Sequence, residues 1–315
     1  MGFFASLINS MPSAMAQGLI WGIMAIGVYL TYRILDVADL TVDGSLGTGG
    51  AVCVVMVLNG APVGLALLAA TAAGMLAGLV TGLFHTACGI PAILAGILTQ
   101  LALYSVNLRI MGFGTGGGKA NLPISVDKYS LLVSARYVRN VALNNPILIL
   151  AVFCVVLIAV LYWFFGTELG CSLRATGANQ NMARAQGINT NVTTVLGLMI
   201  SNGLVALAGG LLAQYQGFSD INMGRGAIVI GLAAVIIGEV IFSRIFRNFA
   251  LKLLSAVIGA IIYYIVMVFV LRLGLSTDDL KLLTALVVAL FLTIPYWKGK
   301  YFTKTSVKKG EKNHA

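Results

Sequence analysis

Eight long apolar runs constrain this chain more than any other feature: residues 16–32, 62–84, 91–105, 146–166, 192–213, 227–242, 251–271 and 282–297 carry almost no charge. Most approach the roughly 20 residues that a helix needs to cross a hydrocarbon core about 30 Å thick. Charged residues make up only 10% of the 315 positions, where a soluble domain carries about a quarter. A water-soluble fold is excluded. The chain reads as an all-α, polytopic bundle of membrane helices.

A further, weaker span is 46–58, preceded by the polar stretch Asp39-Leu40-Thr41-Val42-Asp43-Gly44-Ser45. It is long enough only if that stretch enters the membrane too, so a broken or half-length helix is expected, for about nine spans in all. The 37 glycines against 6 prolines signal close helix packing, which small residues permit. No basic segment precedes a short apolar stretch at the start, so the first residues read as a span rather than a removable signal.

Sidedness follows from Lys and Arg, which are in excess in cytoplasmic loops. With the N-terminus outside, the cytoplasmic set is Arg33, Arg174, Arg184, Arg244, Arg247, Lys252 and the six lysines of a basic tail at 298–315, and the remaining eight cations fall outside. The C-terminus is then cytoplasmic. Residues 1–297 form the membrane domain, with an external loop at 112–145 and a cytoplasmic loop at 167–190. Within the external loop Tyr129, Leu132, Val133 and Tyr137 approximate a helical stripe beside Lys128, Arg136 and Arg139, suited to the membrane interface, to packing over the bundle's mouth, or to an external protein. The Gly-rich links at 43–50 and 214–226 fall on opposite faces by this parity, the pattern of an inverted repeat whose halves are spans one to four and six to nine.

Several chemistries fall away. The net charge of +10 is scattered between spans and in the tail, so it forms no nucleic-acid face. Gly112-Phe113-Gly114-Thr115-Gly116-Gly117 fits GxGxxG but follows a membrane helix with no βαβ unit, and Ala120 stands where a phosphate loop needs Ser or Thr. Cys53, Cys88, Cys154 and Cys171 show no CxxC spacing, and His85 and His314 belong to no HExxH motif, so neither a disulfide frame nor a metal site is expected.

Between two spans lies a polar island. Asn179 is a good N-cap, residues 180–186 are helix-compatible and Gly187 suits a left-handed C′ position, so a two-turn helix is expected. A helix that short is marginal alone. Ala178, Met182, Ala183 and Ala185 could seat it in a shallow groove on a cytoplasmic partner; the plain alternative is a basic loop.

The pattern Gly-x-x-Leu-Arg-Ala-x-Gly-x-Asn-x-x-x-Ala-x-x-x-Gly-Ile-Asn from Gly170 to Asn189 resembles the coupling loop of bacterial ABC importer permeases of the ribose, branched-chain amino acid and nucleoside type. Residues 39–45 are similar to that family's Asp-Leu-Ser-x-Gly-Ser, with one extra residue, Asp43, before the glycine. The resemblance implies that Arg174, Ala175, Gly177, Asn179, Ala183, Arg184 and Gly187 couple the chain to a cytoplasmic ATPase. That ATPase would hold the ATP and Mg, and this chain would bind no cofactor and catalyse nothing. It also implies an external substrate-binding lipoprotein, a second permease copy forming a homodimer, and residence in a bacterial cell membrane. The combination of 39–44, Gly224-Arg225-Gly226-Ala227 and the Glu239 span is similar to permeases linked to tryptophan, tyrosine and related amino-acid uptake.

A carboxylate at the centre of a membrane helix costs roughly 2.5 to 3.5 kcal/mol on insertion scales, so such groups face a cavity or a partner. Asp43 either lines a pathway or caps its own short helix, and Glu239 is expected to pair with Arg244 or Arg247. Asp39, Thr41, Asp43, Gly44, Ser45 and Gln214 are the candidates for a substrate pathway or gate. The competing readings are an ion-coupled secondary transporter, or an ABC permease for a nucleoside or sugar.

Overall fold

The computed structural model describes residues 3–114, 117–126, 128–129, 131–138, 145–242, 245–246, 248–272 and scattered positions between 282 and 293. The expected tail, half of the last span, Arg139, Arg244 and Arg247 lie outside them. The described chain is a helix bundle: α1 (Phe3–Tyr29), continued by a π turn at Leu30–Ile34, then α2 (Val42–Leu58), α3 (Val63–Thr86), α4 (Ala92–Met111), α5 (Pro146–Phe164), α6 (Glu168–Ala178), α7 (Gln180–Ala185), α8 (Thr190–Gln216), α9 (Ala227–Phe242) and α10 (Phe249–Arg272). Six of these are long and apolar enough to cross a membrane, whereas α2 and α9 are shorter. The expected all-α polytopic bundle is what forms.

Local chemistry sets the helix ends. Pro146 opens α5, where its missing N–H is no loss, and Asn145 Oδ1 accepts from Ile147 N at 2.9 Å. Asn189 caps α8 by accepting from the amides of Asn191 and Val192, and Gly217 ends it at φ +80°. On α5, Val152, Val155, Val156, Val160 and Trp163 are exposed, the outward face that a bilayer would cover.

Around α8, buried along nearly its whole length, pack α1, α2 and α3. Glycine makes this possible: a Cβ on Gly49 would overlap the backbone of Ala206, so α2 and α8 touch backbone to backbone. On the far side α1 packs against α10, and α10 against α9.

The bundle has two distinct ends. At one, β1 (Asn121–Pro123) pairs antiparallel with β2 (Phe218–Asp220), Ile124 N donates to Gly217 O, and the Ser13 and Tyr215 hydroxyls meet at 3.1 Å. At the other, α6 packs on the end of the π turn, where the Gly177 backbone abuts that of Ile34. The loop at 112–145 and the loop at 167–190 therefore lie at opposite ends.

Two expectations change. The helical stripe at 129–141 is instead, among the described residues, a folded strap with one 3₁₀ turn at Ala135–Tyr137. Val133 and Val138 are buried, Leu132 and Tyr137 are exposed, and Tyr129 Oη donates to Leu58 O at 3.4 Å. Tertiary hydrogen bonds hold it over the bundle's mouth. Of the two forms expected for the second helix, broken or half-length, the half-length one folds: the polar stretch supplies its first turn, and the irregular backbone falls earlier, between the π turn and Thr41, with Asp36 at φ +55°. The two Gly-rich links do not face opposite sides: Gly224 abuts the backbone of Asp43, and Gly50 lies against Met223 and Ser219.

Gly49→Val should destabilise the protein by about 3 kcal/mol, the upper range for overpacking a tight contact. Gly64→Val, at a position with open space around it, should be near neutral. Thermal unfolding of the two variants in detergent checks both.

Candidate functional site

Where α1 ends and α2 has not begun, the chain crosses the interior without helical hydrogen bonds, and such backbone is tolerated at membrane depth only when protein answers it. Asp39, 2% exposed, gives that answer. Its Oδ1 accepts from Thr41 N at 2.9 Å, and its Oδ2 accepts from Asn202 Nδ2 at 2.6 Å. Asn202 Oδ1 in turn accepts from Ser45 Oγ at 2.6 Å, while its Nδ2 also reaches Leu198 O. Thr41 Oγ1 meets Thr81 Oγ1 at 2.7 Å, and Thr81 Oγ1 donates to Thr99 Oγ1 at 2.9 Å. One chain of hydrogen bonds thus ties α8, α2, α3 and α4, through side chains that are all nearly inaccessible.

Of the pathway candidates, Asp39, Thr41 and Ser45 come together in this network. They are sealed from solvent and line no open passage. Gln214 is far from them: its Oε1 accepts from Leu132 N at 3.1 Å and its Nε2 donates to Cys53 Sγ at 3.2 Å, so it pins the strap onto the bundle. Sequence reasoning missed Asn202, Thr81 and Thr99. An amide in the middle of an apolar run was the signal for Asn202.

Asp43 does cap a helix, but a different one from that expected. Its carboxylate oxygens accept from Gly226 N and Ile228 N, each at 2.9 Å, at the start of α9. The first N–H groups of a helix have no internal partner and carry partial positive charge, so a carboxylate is favourable there. From this junction α2 runs towards the strap and α9 towards the opposite end. Two half-length helices of opposite direction therefore meet near their N-termini. Gly44 follows Asp43 on the first turn of α2, against Gln100 and Leu103 of α4.

At the far end of α9, Glu239 pairs with Arg33, with Oε1 2.9 Å from Nε. The expected partners Arg244 and Arg247 lie outside the described residues; among those described, the end of α1 lies alongside Glu239. Nearby, Tyr29, Arg33, Arg174, Gly177, Phe249 and Lys252 line a basic cleft of about 270 Å³, where the Arg174 guanidinium sits 5.4 Å from the centre of the Phe249 ring.

The polar island folds as two helices. Sequence reading found α7: Asn179 Oδ1 accepts from Met182 N at 3.1 Å, and Gly187 turns out at φ +81°. It missed α6, whose Thr167 cap and buried Leu173 and Thr176 were the available signals. Arg184 Nε donates to Thr190 Oγ1 at 2.7 Å, closing the loop onto α8, while Ala175 is half-buried. Ala183 does not join the docking face expected of it, because it is turned inward at 3% exposure and Ile188 N folds back onto its carbonyl. Met182, at 65% exposure, and the exposed Ala178 and Ala185 form the outer face.

Residues 10–294 match the family described as "Branched-chain amino acid transport system / permease component". The chain is 41% identical over 285 residues to a tyrosine transport system permease protein of Clostridioides difficile, covering 90% of this chain and 91% of that one. It is 37% identical over 290 residues to an uncharacterized protein of Rickettsia prowazekii, covering 91% and 98%. It is 27% identical over 235 residues to the autoinducer 2 import system permease protein LsrC of Salmonella paratyphi B, covering 74% and 64%. Among solved structures, PsaBC from Streptococcus pneumoniae in complex with Fab superimposes with a TM-score of 0.53 at 16% identity, over 95% of this chain and 98% of that one, which establishes a shared fold.

Asn202→Leu should destabilise the protein by about 3 kcal/mol, because it leaves a buried oxygen of the Asp39 carboxyl group without its partner. The double variant with Asp39→Leu should recover part of that loss, since removing both partners leaves no buried acceptor unmet. Denaturation of the wild type, both single variants and the double variant, combined as a cycle, measures the coupling.

Proposed function

This chain belongs to the family of permease components of branched-chain amino acid transport systems, and on that premise we propose that it is the membrane half of an ATP-driven amino-acid importer with an aromatic cargo. The observation that carries the reading is α7. A six-residue helix, capped at both ends, stands out from the bundle with Met182 exposed, and so short a helix gains from a partner that packs on it. The partner is a cytoplasmic ABC ATPase, which binds the ATP and Mg. Arg174, Ala175, Gly177, Asn179, Arg184 and Gly187 carry the coupling by shaping and anchoring this loop, and Ala183 supports it from beneath.

The basic cleft of Arg33, Arg174 and Lys252 beside α6 supports a cytoplasmic assignment for this end, following the excess of cations on that side. The strap end then faces outward, where a substrate-binding lipoprotein delivers cargo to a homodimer of this chain in the bacterial cell membrane. Residues 1–297 are the permease domain and 298–315 a cytoplasmic tail. The name of the 41% identical relative supports an aromatic amino acid over the cargo of the 27% identical autoinducer permease.

In proteoliposomes holding permease, ATPase and binding protein, L-tyrosine uptake should require ATP. Met182→Glu and Arg174→Glu should each lower that uptake more than tenfold at unchanged permease content. Uptake that persists without ATP, or is indifferent to both substitutions, rejects the coupling assignment.

A further inference from the structure

One cavity is not accounted for by the buried network or the coupling loop. It measures about 290 Å³, lies between α2, α4 and the turn leading into α9, and is lined by Asp43, Gln100, Tyr104, Asn107, Ile221 and Arg225 among others. Its size falls at the lower end of the roughly 300–1,000 Å³ of small-molecule sites. Asn107 is 2% exposed, and its Oδ1 has no hydrogen-bond partner. A buried acceptor left unmet costs about 1–3 kcal/mol, so an orphan carbonyl oxygen in a cavity wall points to a donor from outside the chain.

The charges on the wall are of both signs. Asp43 is held in place by the amides of Gly226 and Ile228, so its position does not depend on cargo. Arg225 is exposed, and the ion pair found among the described residues, Arg33 with Glu239, does not involve it. A guanidinium presents a fork of donors matched to a carboxylate, and an ammonium offers three donors suited to a carbonyl oxygen and a carboxylate. A ligand carrying both groups on one carbon can answer both charges at once, whereas a neutral sugar leaves them unanswered.

We propose that this cavity is a subsite for the zwitterionic head of an α-amino acid, with Arg225 receiving the carboxylate, Asn107 Oδ1 and Asp43 receiving the ammonium, and Tyr104 and Ile221 flanking the side chain. The proposal rests on the amino-acid reading above and adds to it that the permease itself recognises the head group. Asp43 then has a second task besides capping α9: it joins the start of the half-helix to the cargo's charge. Gln100 supplies a further polar contact on the same wall.

The test is ATP-driven uptake of L-tyrosine by the complete transporter in proteoliposomes, with the concentration dependence measured for each variant. Arg225→Gln and Asn107→Leu should each lower the initial rate at subsaturating L-tyrosine at least tenfold, with ATP hydrolysis by the assembly retained. Arg225→Lys, which keeps the charge but not the fork, should fall between the wild type and Arg225→Gln. If Asn107→Leu lowers the amount of permease in the membrane, Arg225→Gln, at an exposed position, decides alone. Wild-type rates in both variants would overturn the subsite and leave the importer reading intact. A wild type that moves no amino acid would instead defeat the amino-acid reading, and the zwitterion assignment with it.

Discussion

Asp39 lies in the stretch where the chain has left one helix and not begun the next, so its neighbours' backbone groups have no helical partners. In a bundle of this kind such a break persists only if protein groups replace the missing bonds, and the carboxylate does so from a position that water scarcely reaches. The hydrogen bonds to Thr41 N and Asn202 Nδ2 hold the start of α2 against the middle of α8. Every other close contact of α2 depends on that registration. Gly49 can meet the Ala206 backbone, and Gly209 the Leu46 backbone, only with the helix at this height. The threonine relay carries the same constraint outward to α3 and α4. A polar chain, not apolar burial, fixes which helix faces which; apolar burial by itself would tolerate many rotations of these small-residue surfaces.

The meeting of α2 and α9 gives the inverted arrangement its physical form. Both are too short to cross alone, and their starts lie together because Asp43, on the first turn of one, accepts the free amides of the other. Opposite running directions follow, since α2 ends beneath the strap at Leu58 and α9 approaches Arg33 at the other end. Discontinuous helices whose N-termini converge inside a bundle concentrate positive dipole ends where cargo passes. Here part of that field is already answered by Asp43.

What could be read from the sequence was whatever local chemistry decides. The spans followed from apolar length, and α7 from the asparagine just before it, Asn179, and the glycine just beyond it, Gly187, because capping involves only near neighbours. What escaped was set at a distance. Glu239 meets Arg33, more than 200 positions away in sequence, because α1 and α9 end at the same height. Asp43 was expected to line a pathway or to serve its own helix, and its carboxylate serves one that begins at Ala227. The stretch at 168–178 looked like loop because of its glycines and hydroxyl residues, but Gly170 and Gly177 are the places where α6 presses on other backbone. Asn202 was legible as a polar residue in an apolar run and was overlooked there.

The loop at 167–190 and the buried network are joined by two routes. One follows the chain: Gly177 of α6 abuts the backbone of Ile34, and the next residue, Leu35, is buried against Gly197, a few positions before Asp39. The other follows a helix: Arg184 binds Thr190 and Thr176 binds Thr193, both on the first turn of α8, whose continuous rod reaches Asn202. The first route ends on the carboxylate and the second on the amide of one hydrogen bond, 2.6 Å long. A displacement of α7 that moved both routes equally would leave that bond unchanged, whereas one that moved α8 relative to the end of α1 would have to stretch it. The bond is thus sensitive to relative motion of the two helices and indifferent to their common motion, which is the property a switch between two packings requires.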